Sequence, residues 1–374
     1  MGNARRRVLE AQRARRRRLI SVIGVIVLLV GAGAVYMFVF RDPSSTRSAA
    51  PSRNEAAAFA GEPTELVYAD FAEAQDLHRL DLASDDDEIE GALPRSGDTE
   101  AAPGSTWLSI QTVAEDGDAF RPALFLYDTG SEEEIALGVG FDPIWASDGS
   151  RVVFLAPEDP STCGEEKCQG PRTVMVVEVT GGEPDELVDP GEYSLLGWAG
   201  EYVVVLNEGT AGSTVVQTIA PDGATTDLPI LPIEFKGASP DGRWIIQSGD
   251  SGARFLEMVD GRAEGEGPEI TIPDGMTLDP AVWAHDSSHV AAALSNDVEV
   301  DIVTFSPADP EPQEITAGGV PSTVGFFWSP DNDSFVFQRF TGTELEAVYC
   351  PLDDPDACEV LLAWTRGIAL LRLE

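Results

Sequence analysis

The 374-residue chain carries 65 acidic residues against 24 basic ones, a formal net charge of −41. Nine of its arginines fall in the first 41 positions, so residues 42–374 hold 64 acids against 15 bases, with lysine only at Lys167 and Lys236. A surface of this sign excludes nucleic acid and other polyphosphates as partners, because their binding requires lysine and arginine to displace counterions from phosphate.

Residues 1–18 form a basic segment with eight arginines, and they lead into Leu19 to Phe40, 22 residues without a charge. As a helix this run reaches about 33 Å, the thickness of a bilayer core, and predicts one transmembrane span over 19–40. The arginines hold the N-terminus in the cytoplasm, which places everything after the span outside it. A cleaved signal is the rival reading, since Ala32-Gly33-Ala34 mimics a small-residue cleavage site and Arg16-Arg17-Arg18-Leu19-Ile20 loosely resembles a twin-arginine signal. Val35 to Phe40 prolong the apolar run past that cut and favour a retained anchor. Residues 41–63, rich in Ser, Ala and Pro with no hydrophobic period, read as a flexible linker. The expected extracytoplasmic domain is then 64–374, long enough to bury a sizeable core without metal staples.

That domain repeats itself. DPIWASDGSRVVFLA begins at Asp142, DPAVWAHDSSHVAAALS at Asp279 and VGFFWSPDNDSFVFQRF at Val324, and the three align without gaps from the tryptophan onward. GASPDGRWIIQS from Gly237 joins them with Ala238 in the tryptophan position, and LLGWAGEYVVVLN from Leu195 keeps Trp198 with a shortened turn. The repeat anchors are therefore Trp145, Trp198, Trp283 and Trp328, with Asp148, Asp241, Asp286 and Asp331 in the turns that follow. Anchor positions 145, 198, 238, 283 and 328 stand about 45 residues apart. Each unit reads as a short strand ending at the anchor, a turn, and three further strands, which is the sequence form of a β-propeller blade. Runs such as RVVFL, apolar without alternation, fit strands packed between neighbouring blades.

Two degenerate units precede these, ELVYAD with LHRLDLA and EIEGAL from Glu65, and STWLSIQTV with ALFLYDT and EEIALG from Ser105. The expectation is an all-β, seven-bladed propeller, six or eight blades being the alternatives. The first unit lacks an anchor strand, and GIALLRLE at 367–374 is a strand without a unit; together they predict that the tail closes the ring. Trp-Ser-Pro-Asp at 328–331 and Ser-Pro-Asp-Gly at 239–242, each followed by an apolar strand, resemble the repeat of TolB-type propellers, a WD-like family. The resemblance covers about residues 65–374 and is sharp in four units. It implies an extracytoplasmic scaffold that binds proteins. The chain departs from TolB in showing no N-terminal α/β domain, and from prolyl-oligopeptidase-like enzymes in having no hydrolase domain after the last blade.

Four cysteines form two close pairs, Cys163 with Cys168 and Cys350 with Cys358, the expected pattern of small loop disulfides in an oxidising compartment. A zinc site fits them poorly, because neither pair has a second knuckle or a nearby histidine.

Catalytic signals are weak. Gly249-Asp250-Ser251-Gly252 copies a serine-nucleophile motif, yet a nucleophile needs a base within reach, and the histidines are only His78, His285 and His289. His285 and His289 read as variation at exposed blade positions. For calcium, Asp85 to Glu90 and Asp331 to Asp333 supply oxygens but lack the glycine and distal glutamate of a calcium loop, so solvated turns are the simpler reading. The sequence thus predicts no catalytic residue, no cofactor and no metal. Its function is expected to be non-catalytic binding of a protein or cell-envelope ligand. A propeller-based lyase or glycoside hydrolase is the enzymatic alternative, and an envelope sensor acting through a membrane partner a third.

Overall fold

A computed structural model describes residues 65–373 apart from 71–75, 83–85, 117–118, 164–167, 210–212, 250–251, 297–299, 317–322, 342–343, 355–356 and 365–367. The basic segment, the expected span at 19–40 and the linker at 41–63 lie outside the described residues, as do Asp85, Lys167, Asp250 and Ser251. Among the described residues no helix is long and apolar enough to cross a membrane.

The strands group into seven antiparallel sheets, each the blade of a propeller. Blade 1 takes its inner strand, Ile368–Leu373, from the far end of the sequence and sets it antiparallel against Glu65–Asp70. The inner strands of blades 2, 3, 4 and 5 are Asp98–Ala101, Phe141–Trp145, Tyr193–Ala199 and Phe235–Ala238. In blade 6 the inner strand is split into Thr277–Leu278 and Val282–Trp283, both paired with Val290–Ser295. Pro280, which has no N–H to give, falls in the break. The freed Ala281 N–H instead donates to Lys236 O of blade 5. Blade 7 begins with Thr323–Trp328. The seven-blade expectation and the closure by the tail both hold.

There is no single core. Seven apolar clusters occur among the described residues, one at every junction between neighbouring blades, including the junction of blade 7 with blade 1. The second strand of each blade supplies both of its sides. Val203 and Val205 face blade 3 while Val204 faces blade 5, and Phe335 and Phe337 face blade 6 while Val336 faces blade 1. Side chains alternate across a strand, so a strand with protein on both faces must be apolar at consecutive positions. This is the physical reason for the VVV and FVF runs.

The repeat anchors knit the junctions. Trp198 Nε1 donates to Ile144 O of blade 3 at 3.0 Å, and Trp328 Nε1 to Val282 O of blade 6 at 3.1 Å. Trp145 reaches blade 2 through Ser109 Oγ at 3.1 Å, and Ser109 Oγ in turn donates to Glu100 O. Trp283 is 6% exposed, and its Nε1 has no acceptor.

The anchor aspartates shape the turns. One Oδ1 of Asp148, Asp241, Asp286 and Asp331 accepts the main-chain N–H two residues on, from Ser150, Arg243, Ser288 and Asp333. The next position is left-handed in each, Gly149, Gly242, Ser287 and Asn332, with φ between 63° and 71°. At Gly242 a side chain would be strained and also crowded, since a Cβ would lie 2.8 Å from Ala199 O in blade 4. Successive turns touch: Asp241 N donates to Ser287 Oγ, and His285 N to Asn332 Oδ1 at 2.7 Å.

Both disulfides are formed, Cys163 with Cys168 and Cys350 with Cys358. Cys168 and Cys350 are buried in the junctions between blades 3 and 4 and between blades 6 and 7.

Candidate functional site

The inner strands of blades 2 and 3 break the apolar pattern with carboxylates. Blade 2 carries Asp98 and Glu100 exposed on its inner strand, and blade 3 adds an exposed Asp142, the charges of Asp98 and Asp142 both reaching Glu100. Asp142 stands at φ 52°, a left-handed conformation at a non-glycine residue, three positions before its anchor; blade 7 has Gly325, φ 77°, at the matching position. Its N–H is held by Gln111 Oε1 at 2.7 Å. A side chain in a backbone state that another repeat gives to glycine marks a position worth testing for function.

Glu100 is the most perturbed of these carboxyls. Water reaches it through the channel, but protein crowds it on most sides, and this crowding rather than complete exclusion of solvent governs its titration. Loss of hydration, then the negative charges of Asp98 and Asp142, push its pKa up to about 7. Asp142 is also raised, mainly by desolvation, although Arg172 pulls the other way.

Glu100 opens onto a cavity of about 430 Å³ bounded by the inner strands of blades 1, 2, 6 and 7. Its wall is largely apolar: Val282, Trp283, Phe326, Phe327, Trp328 and Leu370 all border it. His285 lines it too, with Nε2 3.4 Å from Trp328 O, and burial lowers the pKa of its imidazole. The expectation that His285 is an exposed variation is therefore wrong. It stands two residues after the anchor Trp283, just past the end of the inner strand, and its ring is half-buried on the cavity rim. A smaller cleft of about 150 Å³ between blades 3 and 4 carries Arg151 stacked over Trp198.

The remaining sequence candidates are accounted for locally. Asp331 serves its turn, and Ser329 Oγ donates to it at 2.5 Å. Asp333 donates its N–H to Asp331 and lies exposed. In the acidic run at 85–90, Asp87 accepts from Tyr68 Oη at 3.0 Å and pairs with His78 Nδ1 at 3.2 Å, while Glu90 pairs with Arg79. Among the described residues no three of His, Cys, Asp and Glu converge closely enough to hold a metal ion. His289 Nδ1 meets Ser288 Oγ at 2.8 Å, a contact between sequence neighbours at an exposed turn. Sequence reasoning missed Glu100 and Asp142. The available signal is Glu100 itself, at the position before the anchor, where the five anchored units carry Ile144, Gly197, Gly237, Val282 and Phe327.

No protein-family profile matches the chain, and no curated protein does. Solved structures do. A prolyl endopeptidase aligns with a TM-score of 0.57 and 14% identity over 86% of this chain, which spans 50% of that enzyme. The β-propeller domain of the Trilobed protease from Pyrococcus furiosus aligns at 0.53 and 13%, over 84% of this chain and 98% of that one. The shared fold is the β-propeller. That domain has an open velcro topology, whereas here the first blade is closed by Ile368–Leu373. TolB from Acinetobacter baumannii is also similar, at 0.46 and 12% over 85% of this chain and 67% of that one.

Proposed function

We propose that this chain is a non-catalytic recognition module of the cell envelope, anchored by residues 19–40 with its propeller outside the cytoplasm, and that the channel cavity is where it takes hold of a protein or envelope ligand. The observation that carries this reading is the cavity itself. Its volume of about 430 Å³ is within the range of ligand sites, and an apolar wall with a few converging polar groups is their usual lining. Two formed disulfides support an oxidising location.

The test is to fill the cavity without touching the junctions. Val282 borders it with its side chain 37% exposed, so Val282→Trp should occupy the space and leave the blades intact. Partners retained by the full chain through gentle detergent extraction from its host should be lost from this variant. Equal retention by both would mean that recognition occurs elsewhere.

A catalytic reading has one specific observation in its favour. Glu100, its pKa pushed up to about 7, and His285, its imidazole pKa lowered by burial, border one cavity and offer it a candidate acid and a candidate base. A lyase or hydrolase would use Glu100 as acid and His285 as base. Turnover of carbohydrate or peptide substrates that disappears in both Glu100→Gln and His285→Gln would replace the first reading with this one.

A further inference from the structure

The residues bordering the cavity restrict what can fill it. Four are aromatic, Trp283, Phe326, Phe327 and Trp328; one, Glu100, is an acid; and among the described lining residues none is lysine or arginine. Aromatic faces attract cations, more strongly where water is thin.

Among the described residues no cation pairs with Glu100. The groups that act on it are Asp98 and Asp142, both of its own sign. Arg172, whose charge reaches Asp142, is committed elsewhere: it donates to Tyr193 O and Cys168 O and lies over the Phe141 ring. An anionic ligand would add repulsion. A neutral apolar one would strip water from a carboxylate and give it nothing in return. A bare metal ion finds no set of three ligands among the described residues.

We infer that the cavity binds an organic ammonium ion carried on an apolar body, with the charge against Glu100 and the body against the aromatic wall. This deepens the recognition reading and rests on it. The ammonium has two sources, the amino terminus of a peptide or a small free amine.

Phenethylammonium and 2-phenylethanol have nearly the same shape and differ in charge. Titrated calorimetrically against the full chain at pH 8, phenethylammonium is expected to bind at least tenfold tighter. In Glu100→Gln the two probes should bind alike. Phe327→Leu keeps an apolar wall but removes an aromatic face, and should weaken phenethylammonium about threefold while leaving 2-phenylethanol nearly unchanged. Circular dichroism of each variant establishes that it is folded.

If both probes bind the unaltered chain equally, the ammonium inference fails while the recognition reading stands. If neither binds, the ammonium inference fails, and the recognition reading is decided by partner retention in Val282→Trp. A tenfold margin that survives Glu100→Gln overturns the assignment to this cavity. Phe-Gly-Gly amide against its N-acetyl form then separates the sources: free-amine peptide binding above that of phenethylammonium identifies a chain terminus, and the reverse order a small amine, the inference holding in both.

Discussion

Trp283 and Trp328 occupy equivalent repeat positions, are 6% and 4% exposed, and differ in one bond. Trp328 Nε1 donates to Val282 O at 3.1 Å, while Trp283 Nε1 is buried without an acceptor. Replacing either indole by a phenyl ring removes similar volume from a similar junction, a loss of about 1.5 kcal/mol. In Trp328→Phe a hydrogen bond goes as well, about 1 kcal/mol more. In Trp283→Phe an unsatisfied N–H goes instead, and its desolvation cost of about 1–3 kcal/mol is relieved. The expected destabilisations are therefore about 2.5 kcal/mol for Trp328→Phe and close to zero for Trp283→Phe. Urea unfolding of the full chain, followed by far-ultraviolet circular dichroism, gives the two midpoints directly, and an unchanged slope shows that the comparison is fair. If Trp283→Phe costs as much as Trp328→Phe or more, the account of the anchors as interblade hydrogen-bond donors is wrong.

Three further outcomes are expected. Glu100 keeps its proton to about pH 7 in the folded chain, whereas an unfolded glutamate ionises near 4.5, so its share of stability falls as pH rises from 4.5 to 7. Because water reaches the group the loss is about 1 kcal/mol, and it should be absent from thermal melts of Glu100→Gln between pH 4.5 and 8. Asp142→Gly should stabilise by about 0.5–1 kcal/mol by relieving the left-handed backbone, while Asp142→Val should destabilise, both read by urea midpoint. Replacing Cys350 and Cys358 by serine should lower unfolding stability by about 2–2.5 kcal/mol, with a shift of the reduced wild-type chain to match.

From Trp145 onward the fold is plainly written, because each blade needs the same turn at the same place. An aspartate that caps a turn and a residue that tolerates left-handed backbone leave recurring letters, and a strand clamped between two neighbours must be apolar without a break. Neither constraint acts on the channel lining. Asp98–Ala101 belongs to no junction on its Glu100 side, so nothing forces an apolar pattern there, and the strand is invisible next to Trp107. The cavity was hidden for a different reason. Leu370, Glu100, Val282 and Phe327 come from four blades and meet only because the ring closes. His285 was misjudged because its position in the repeat predicts a turn but not which turn borders a cavity.

Ring closure has a kinetic consequence as well. The strand that pairs with Glu65–Asp70 begins at Ile368, roughly 300 residues further along, and the loop-closure entropy for such a separation is on the order of 5 kcal/mol. Every other blade pairs strands close to one another in sequence. Blades 2 to 7 are thus free to assemble by short-range steps, while the first waits with Tyr68 and its neighbours unsheltered until the last strand arrives. During that interval the protein carries an unpaired edge of the kind that recruits other chains. The slowest event in its folding is then also the one that ends its exposure to misassembly.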